Sequence, residues 1–375
     1  MCQESTGQCV VRSCLTDGCP AGTYCDPAKL ECIDRAPGAR RRYVGETLVG
    51  HGVQSHLQTR DAVGLAALGT FTRLTVTRDG RYIYAVGPQV VRVDQATLRV
   101  ETIAGIGWPG FADGPAEQAQ FDVDWYQAGG IGLSPDERYL YFKANGRIRR
   151  LDLQARTVDT LRPPELVDVG LRGLAVGQSG LLYVNGWGTD YFILDPETGA
   201  VVEAPALDIS QAWGVEGQPP GYLAVDEARG FVYGLERNRK SGALYRWPVH
   251  GGVVEWLNHE ATGSRTPAQY LSDGPVSRLE MANPAGLTAD SDGYLYIGAG
   301  DGRTFRRYDP DAQIVESLCA VPEAGAADTF EWCIGDGERN QLFNTWPSFL
   351  AFDAAGNGYF GYSVWPRLVR LRRVQ

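Results

Sequence analysis

The sequence predicts an all-β fold, a six-bladed β-propeller of four-stranded blades whose ring is closed by an N-terminal strand and preceded by a small cysteine-rich segment. Three observations carry this. A two-strand pattern ending in an aromatic residue recurs six times. The fourth strand of the last copy is missing from the C-terminus and present near the N-terminus. Apolar residues at a sustained helical spacing are absent.

The copies are LTVTRDGRYIY ending at Tyr84, IGLSPDERYLY at Tyr141, LAVGQSGLLY at Tyr183, LAVDEARGFVY at Tyr233, LTADSDGYLY at Tyr296 and LAFDAAGNGYF at Phe360. They lie 42 to 64 residues apart, which suits four strands of ordinary length plus turns and variable loops. A third strand follows each copy: VVRVD, RIRRLD, YFILD, ALYRWP, TFRRYD and LVRLR. A fourth then carries an acidic residue among apolar ones, at Glu101, Asp159, Glu203, Glu255 and Glu316. Its sixth instance is YVGETLV around Glu46. One N-terminal strand completing three C-terminal ones closes the ring and removes the long open sheet edge. The expected organisation is therefore a cysteine-rich segment at 1–36, a linker at 37–42 and the propeller at 43–375.

Composition bounds the class. The chain has 375 residues, 43% of them hydrophobic, ample for a packed core. No apolar run reaches the length of a membrane-spanning helix, and no charged-then-apolar leader precedes Cys2, so any export signal is expected to have been removed. Six of the eight cysteines (Cys2, Cys9, Cys14, Cys19, Cys25 and Cys32) fall within the first 32 residues, and Cys319 and Cys333 lie 14 apart. An even count in a segment too short for a core reads as a disulfide framework and an oxidising, extracytoplasmic compartment. Neither His nor C-x-x-C occurs there, which disfavours zinc. Cys2 is also a candidate lipid anchor, a reading that leaves an odd number of N-terminal cysteines. The net charge of −10 and scattered basic residues argue against nucleic acid as a partner. Three lysines among 35 basic residues point to a GC-rich, bacterial genome.

The segments GIGWPGFADGPAEQAQF, YLSDGPVSRLEMANPAGL and IGDGERNQLFNTWPSFL, which lead into the second, fifth and sixth copies, resemble the linking pattern of NHL repeats, where a glycine-rich D-G-P stretch precedes N-P-x-G-L. The resemblance covers residues 43 to 375. It implies a propeller fold but no one function, since propellers of this kind serve as binding platforms and as enzymes. The chain departs from the family pattern after the second strand. There the recurring Asp and Asn give way to YAVGPQ, YFKANG, YVNGWG, YGLERN, YIGAGD and YFGYSV.

Propeller geometry puts the connections between blades on one face, together with the loops between second and third strands. The long segments 105–128, 258–282 and 319–346 belong to that face and are rich in aromatic residues. Flat rings supply contact area at low entropic cost, so Trp125, Trp187, Tyr191, Trp346, Tyr362 and Trp365, with Arg172, are the candidate ligand-binding residues. Trp108 shares that face. The resemblance to calcium-dependent lactonase propellers implies a second candidate set, Asn185, Glu236, Asn283 and Asp301, whose oxygens would hold Ca²⁺ at the channel mouth; ordinary turn capping explains each of the four as well. Asp290 to Gly293 reads as a tight turn rather than a calcium loop. His51, His56 and His259 read as solvated loop residues, and His250 falls on the opposite face.

The leading functional expectation is a non-catalytic extracytoplasmic recognition protein that binds a protein, peptide or glycan through the loop-rich face. A metal-dependent lactonase-like hydrolase or lyase with its site at the channel mouth is the alternative. A third reading makes the propeller a structural part of a surface assembly.

Overall fold

A computed structural model describes residues 23–26, 31–34, 42–50, 61–64, 69, 71–123, 129–210, 219–236, 242–261, 274–281, 284–290, 292–299, 304–318, 347–362 and 367–374. Among them are no α-helix and three single-turn 3₁₀ segments. Six antiparallel sheets form the ring. Their innermost strands are Arg73–Val76, Ile131–Leu133, Gly173–Val176, Tyr222–Asp226, Pro284–Ala289 and Pro347–Phe352, in blades one to six. In the last blade Arg367–Val374 pairs antiparallel with Arg42–Val49, so the N-terminal strand completes the sheet as expected. Ahead of it stands a hairpin, Thr23–Asp26 with Glu31–Asp34, in which Cys25 and Cys32 are directly opposed.

The recurring tyrosine and the recurring acid belong to one device. In blade one Tyr84 is in register with Arg92, and Arg92 with Glu101. The same row is Tyr141, Arg150, Asp159 in blade two, Tyr233, Arg246, Glu255 in blade four, Tyr296, Arg307, Glu316 in blade five and Tyr359, Arg370, Glu46 in blade six. The arginine meets the outer-strand acid at 2.7 Å in blade one, 2.8 Å in blades two and five and 2.5 Å in blade four. Cross-strand opposite charges of this kind favour one register over its neighbours. The tyrosine packs into the cluster shared with the next blade: Tyr84 with Phe121, Leu140 and Leu151, and Tyr233 with Leu295, Ile297 and Tyr308. Blade three breaks the row, with Ile193 between Tyr183 and Glu203. There Tyr183 donates to Glu227 of blade four at 2.6 Å, and Glu203 meets His250 at 2.8 Å.

The sixth copy ends one residue earlier than the sequence pattern places it. Tyr359, not Phe360, occupies the tyrosine position, paired with Ala351 as Tyr296 is with Thr288. Its hydroxyl donates to Asp353 Oδ2 at 2.8 Å, the same bond that Tyr296 makes to Asp290. Phe360 faces back to Phe305 of blade five, at 5.1 Å between ring centroids.

The D-G-P stretches also have a structural account. Gly114–Pro115 adds a fifth strand outside Thr157–Leu161, and Gly274–Pro275 does so outside Ile314–Leu318. Both glycines have left-handed backbone (φ 121° and 152°), and proline suits an edge because it presents no N–H to solvent. Residues 112–120 of the long 105–128 segment are thus the rim of blade two. Fully buried Arg149 fastens them, donating to Ala112 O (2.7 Å), Gln120 O (3.0 Å) and Asp113 (2.8 Å).

Candidate functional site: the channel mouth on the loop face

The innermost strands surround a central cavity of about 540 Å³, whose walls include Leu74, Val76, Leu133, Leu174, Val225 and Leu287. Toward the loop face, polar side chains stand at the seams between neighbouring blades. Strand alternation explains which way they point: a residue two beyond the repeat tyrosine shares its side and faces the next blade. Lys143 and Asn185 hold that position. Lys143 Nζ donates to Arg172 O of blade three at 3.3 Å, and Asn185 Nδ2 donates to Pro220 O of blade four at 2.9 Å. Arg73 of blade one donates to Lys143 O at 3.0 Å, and Arg172 donates to Pro219 O at 3.3 Å. From blade one to blade four, each blade gives a side-chain donor to a backbone carbonyl of the next. These bonds satisfy carbonyls that burial would otherwise leave costly.

Glu236 sits three beyond its tyrosine, so it faces back toward blade three, where its charge supports the Arg172 guanidinium. Burial pushes Arg172 below the usual arginine range, and Glu236 opposes that shift. The two candidate metal ligands that are described have separate local roles. Asn185 accepts from Gly173 N at 2.9 Å and donates to blade four, so both ends of its amide bind backbone. Glu236 is buried beside Arg172 at the seam with blade three. Asn283 and Asp301 lie outside the described residues, and among the described residues no three His, Cys, Asp or Glu side chains converge as a metal site.

Trp187 stands above this belt. It occupies the loop between the second and third strands of blade three, closed by Gly186 N donating to Asp190 O at 2.9 Å. Its ring lies over the Arg172 guanidinium at 4.4 Å, yet the residue is 47% exposed. Two glycines allow the approach. A Cβ on Gly170 would come within 2.5 Å of Trp187 Cδ1, and one on Gly186 within 2.4 Å of Val169 Cγ1.

Tyr191, only four residues on, belongs to the core instead. It is 2% exposed, lies edge-on to Trp247 at 5.8 Å and donates to Val249 O at 2.9 Å. The ring therefore cannot serve as a rim contact: the third strand starts at Tyr191, and alternation turns its side chain toward blade four. Burial raises its pKa far above the usual phenol value. Trp108 is 67% exposed on the blade-two loop, with Phe111 below it partly covered by Arg147, Arg149 and Arg162. Trp125, Trp346, Trp365, Cys2, Cys9, Cys14, Cys19, Cys319 and Cys333 lie outside the described residues, as do the side chains of Tyr362, Cys25 and Cys32. Asp290 caps a tight turn as expected, accepting from Asp292 N and Tyr294 N at 3.0 and 2.9 Å.

Sequence reasoning missed Arg73 and Asn258. Asn258 is fully buried and binds four partners, accepting from Leu244 N and Trp256 Nε1 and donating to Gly242 O and Leu279 O, at 2.8 to 3.0 Å. It ties blade four to the segment entering blade five. The only sequence signal for it is a lone Asn after the outer strand, which capping would explain equally.

The fold has known counterparts. A protein of unknown function from Bacteroides thetaiotaomicron superposes with a TM-score of 0.61 at 16% identity, covering 88% of this chain and 75% of its own. An auxiliary nutrient binding protein from the same organism gives 0.57 at 11% identity, covering 95% and 84%. Virginiamycin B lyase from Staphylococcus aureus gives 0.51 at 13% identity, covering 89% and 100%. The chain shares a propeller fold with all three. At these identities the likeness is one of fold alone. No family model matches the chain, and no curated protein matches it.

Proposed function

We propose that this propeller, of the NHL-like kind its linking segments resemble, is an extracytoplasmic recognition protein that binds a ligand at the channel mouth on the loop face. One observation carries the reading: Trp187 stacks on the half-buried Arg172 guanidinium yet keeps about half of its surface in water. An ordered, exposed aromatic ring is the kind of residue that dominates recognition, because its ordering cost is met before the ligand arrives. The polar belt beneath it supplies orientation. Clustering of six cysteines in the first 32 residues, with Cys25 opposite Cys32, supports an oxidising compartment. No helix among the described residues is long and apolar enough to cross a membrane.

The alternative, a metal-dependent hydrolase or lyase, has the buried Glu236 carboxylate in its favour. Metal analysis of the purified protein separates the two. Less than a tenth of an equivalent of calcium or zinc per chain, with Trp187→Ala abolishing binding on a mixed peptide and glycan array, is the expected result. One tightly held divalent ion per chain, removed together with a hydrolytic or eliminating activity by Glu236→Gln, would replace the binding reading with the enzymatic one.

A further inference from the structure

We infer that Trp187 and Arg172 form a stacking subsite for a neutral pyranose ring, so that the ligand of the loop face is a glycan. This rests on the binding reading above and narrows it. One face of the indole is covered by the Arg172 guanidinium, and its Cδ1–Nε1 edge lies against Gly170. What remains open is a single flat apolar face of fixed orientation. A pyranose presents a matching patch of C–H groups on one face and hydroxyls around its rim, and it packs on such a ring without needing a second apolar wall.

The surroundings are polar rather than apolar, and they hold both donors and acceptors. Arg172 is a donor with a planar fork. Thr189 and Asp190 follow in the same loop, and Asp168 lies in the neighbouring segment. Hydroxyls act as donor and acceptor at once, so a rim of both kinds satisfies them where a purely cationic or anionic rim would not. The charged residues of this loop and the neighbouring strands are of both signs, with Lys143 and Arg172 cationic and Glu236, Asp168 and Asp190 anionic. A cationic ligand is disfavoured by the guanidinium behind the ring, which draws on the same π density. A protein partner would need a broader apolar patch. Around Trp187 the described mouth offers one aromatic face.

The test is calorimetric titration of the full chain with neutral cello-, xylo-, manno-, malto- and galacto-oligosaccharides of four to six units. At least one series is expected to bind, with Trp187→Ala weakening it about tenfold or more. Gly170→Ala is the positional control. Its new methyl would displace the indole without removing it, and Gly170 has no left-handed backbone that would make the change a strain. It is expected to weaken binding about threefold or more, and melting temperature should move by less than about 2 °C in either variant. Trp187→Phe, which keeps a flat ring, should retain part of the affinity. The inference is overturned if none of the five series binds, or if Trp187→Ala and Gly170→Ala leave the affinity of a bound series unchanged. Peptide binding that depends on Trp187, with no oligosaccharide bound, would end the glycan assignment while leaving the loop-face reading intact. Oligosaccharide binding indifferent to Trp187 but lost in Trp108→Ala would end this subsite alone.

Discussion

Removing the Asn258 side chain tests how the blades are held to one another. The residue is fully buried, and its amide uses both acceptor and donor capacity on four partners. In Asn258→Ala the Trp256 indole N–H, part of a residue 36% exposed, can turn to water. Leu244 N–H and the carbonyls of Gly242 and Leu279 cannot. Each such orphaned group costs about 1 to 3 kcal/mol, and the carbonyls tolerate the loss better than the amide, so the expected total is about 3 to 5 kcal/mol. Asn258→Asp sharpens the reasoning. Its carboxylate still accepts from Leu244 N but sets an oxygen against two carbonyls in a buried site, which raises its folded-state pKa above the unfolded value. Stability linked to a raised pKa is present below the unfolded pKa and is lost as pH rises through the folded one. The Asp variant should therefore be far below wild type at neutral pH and approach it toward about pH 4. Urea unfolding followed by tryptophan fluorescence, with the slope checked for constancy, measures both. A loss below about 1 kcal/mol for Asn258→Ala, or a deficit in Asn258→Asp that does not change with pH, would refute the assignment of this amide as a satisfied buried hub.

Three further outcomes are expected. Removing residues 1–50 deletes the strand that pairs with Arg367–Val374 and exposes a sheet edge, so it should unfold or aggregate the protein, whereas removing 1–38 should leave the melting temperature unchanged. Tyr141 and Tyr233 are pushed up by burial from the ordinary 10.0 to about 12. Their contribution to stability is complete below pH 10 and should be lost between about pH 10 and 12, with tyrosinate absorbance rising over the same interval and a smaller late phase in Tyr141→Phe. Mass mapping of unreduced peptides should find Cys319 joined to Cys333 and the six N-terminal cysteines joined among themselves, since a closed loop of this size is favoured by about 3 kcal/mol in the chain-entropy view.

Much of the architecture was legible because it is local. Period-two alternation, glycine and acidic turns and the outer-strand acid recur within about 50 residues, and each copy reports its own strands without reference to the rest. The displaced sixth outer strand around Glu46 announced ring closure for the same reason. Even the arginine of the cross-strand row stands in the third-strand strings VVRVD, RIRRLD, ALYRWP, TFRRYD and LVRLR. Its pairing with the acid became visible only with the register in hand. Within the repeat pattern, the misplacement of Phe360 for Tyr359 came from matching the aromatic end of the copy. Counting six residues from the turn acid, as from Asp290 to Tyr296, leads from Asp353 to Tyr359.

The fate of the site residues was decided elsewhere in the molecule. Trp187 and Tyr191 are aromatic residues four apart, one in the loop and one at the start of the strand that follows it, and nothing in their own sequence separates them. Trp187 is held outward because Gly170 and Val169, from the segment before the blade, fill the space beneath its loop. Tyr191 is drawn inward because blade four presents Trp247 to its ring and Val249 O to its hydroxyl. The belt of Arg73, Lys143, Arg172 and Asn185 likewise consists of bonds between different blades, spanning 29 to 70 residues of chain. The sequence by itself determined the number of blades, the order of their strands and the closing of the ring, because hydrogen-bonded strands and turns are specified by neighbours along the chain. Which aromatic faces water and which polar group faces the next blade depends on contacts between blades, and only the assembled ring brings those surfaces together.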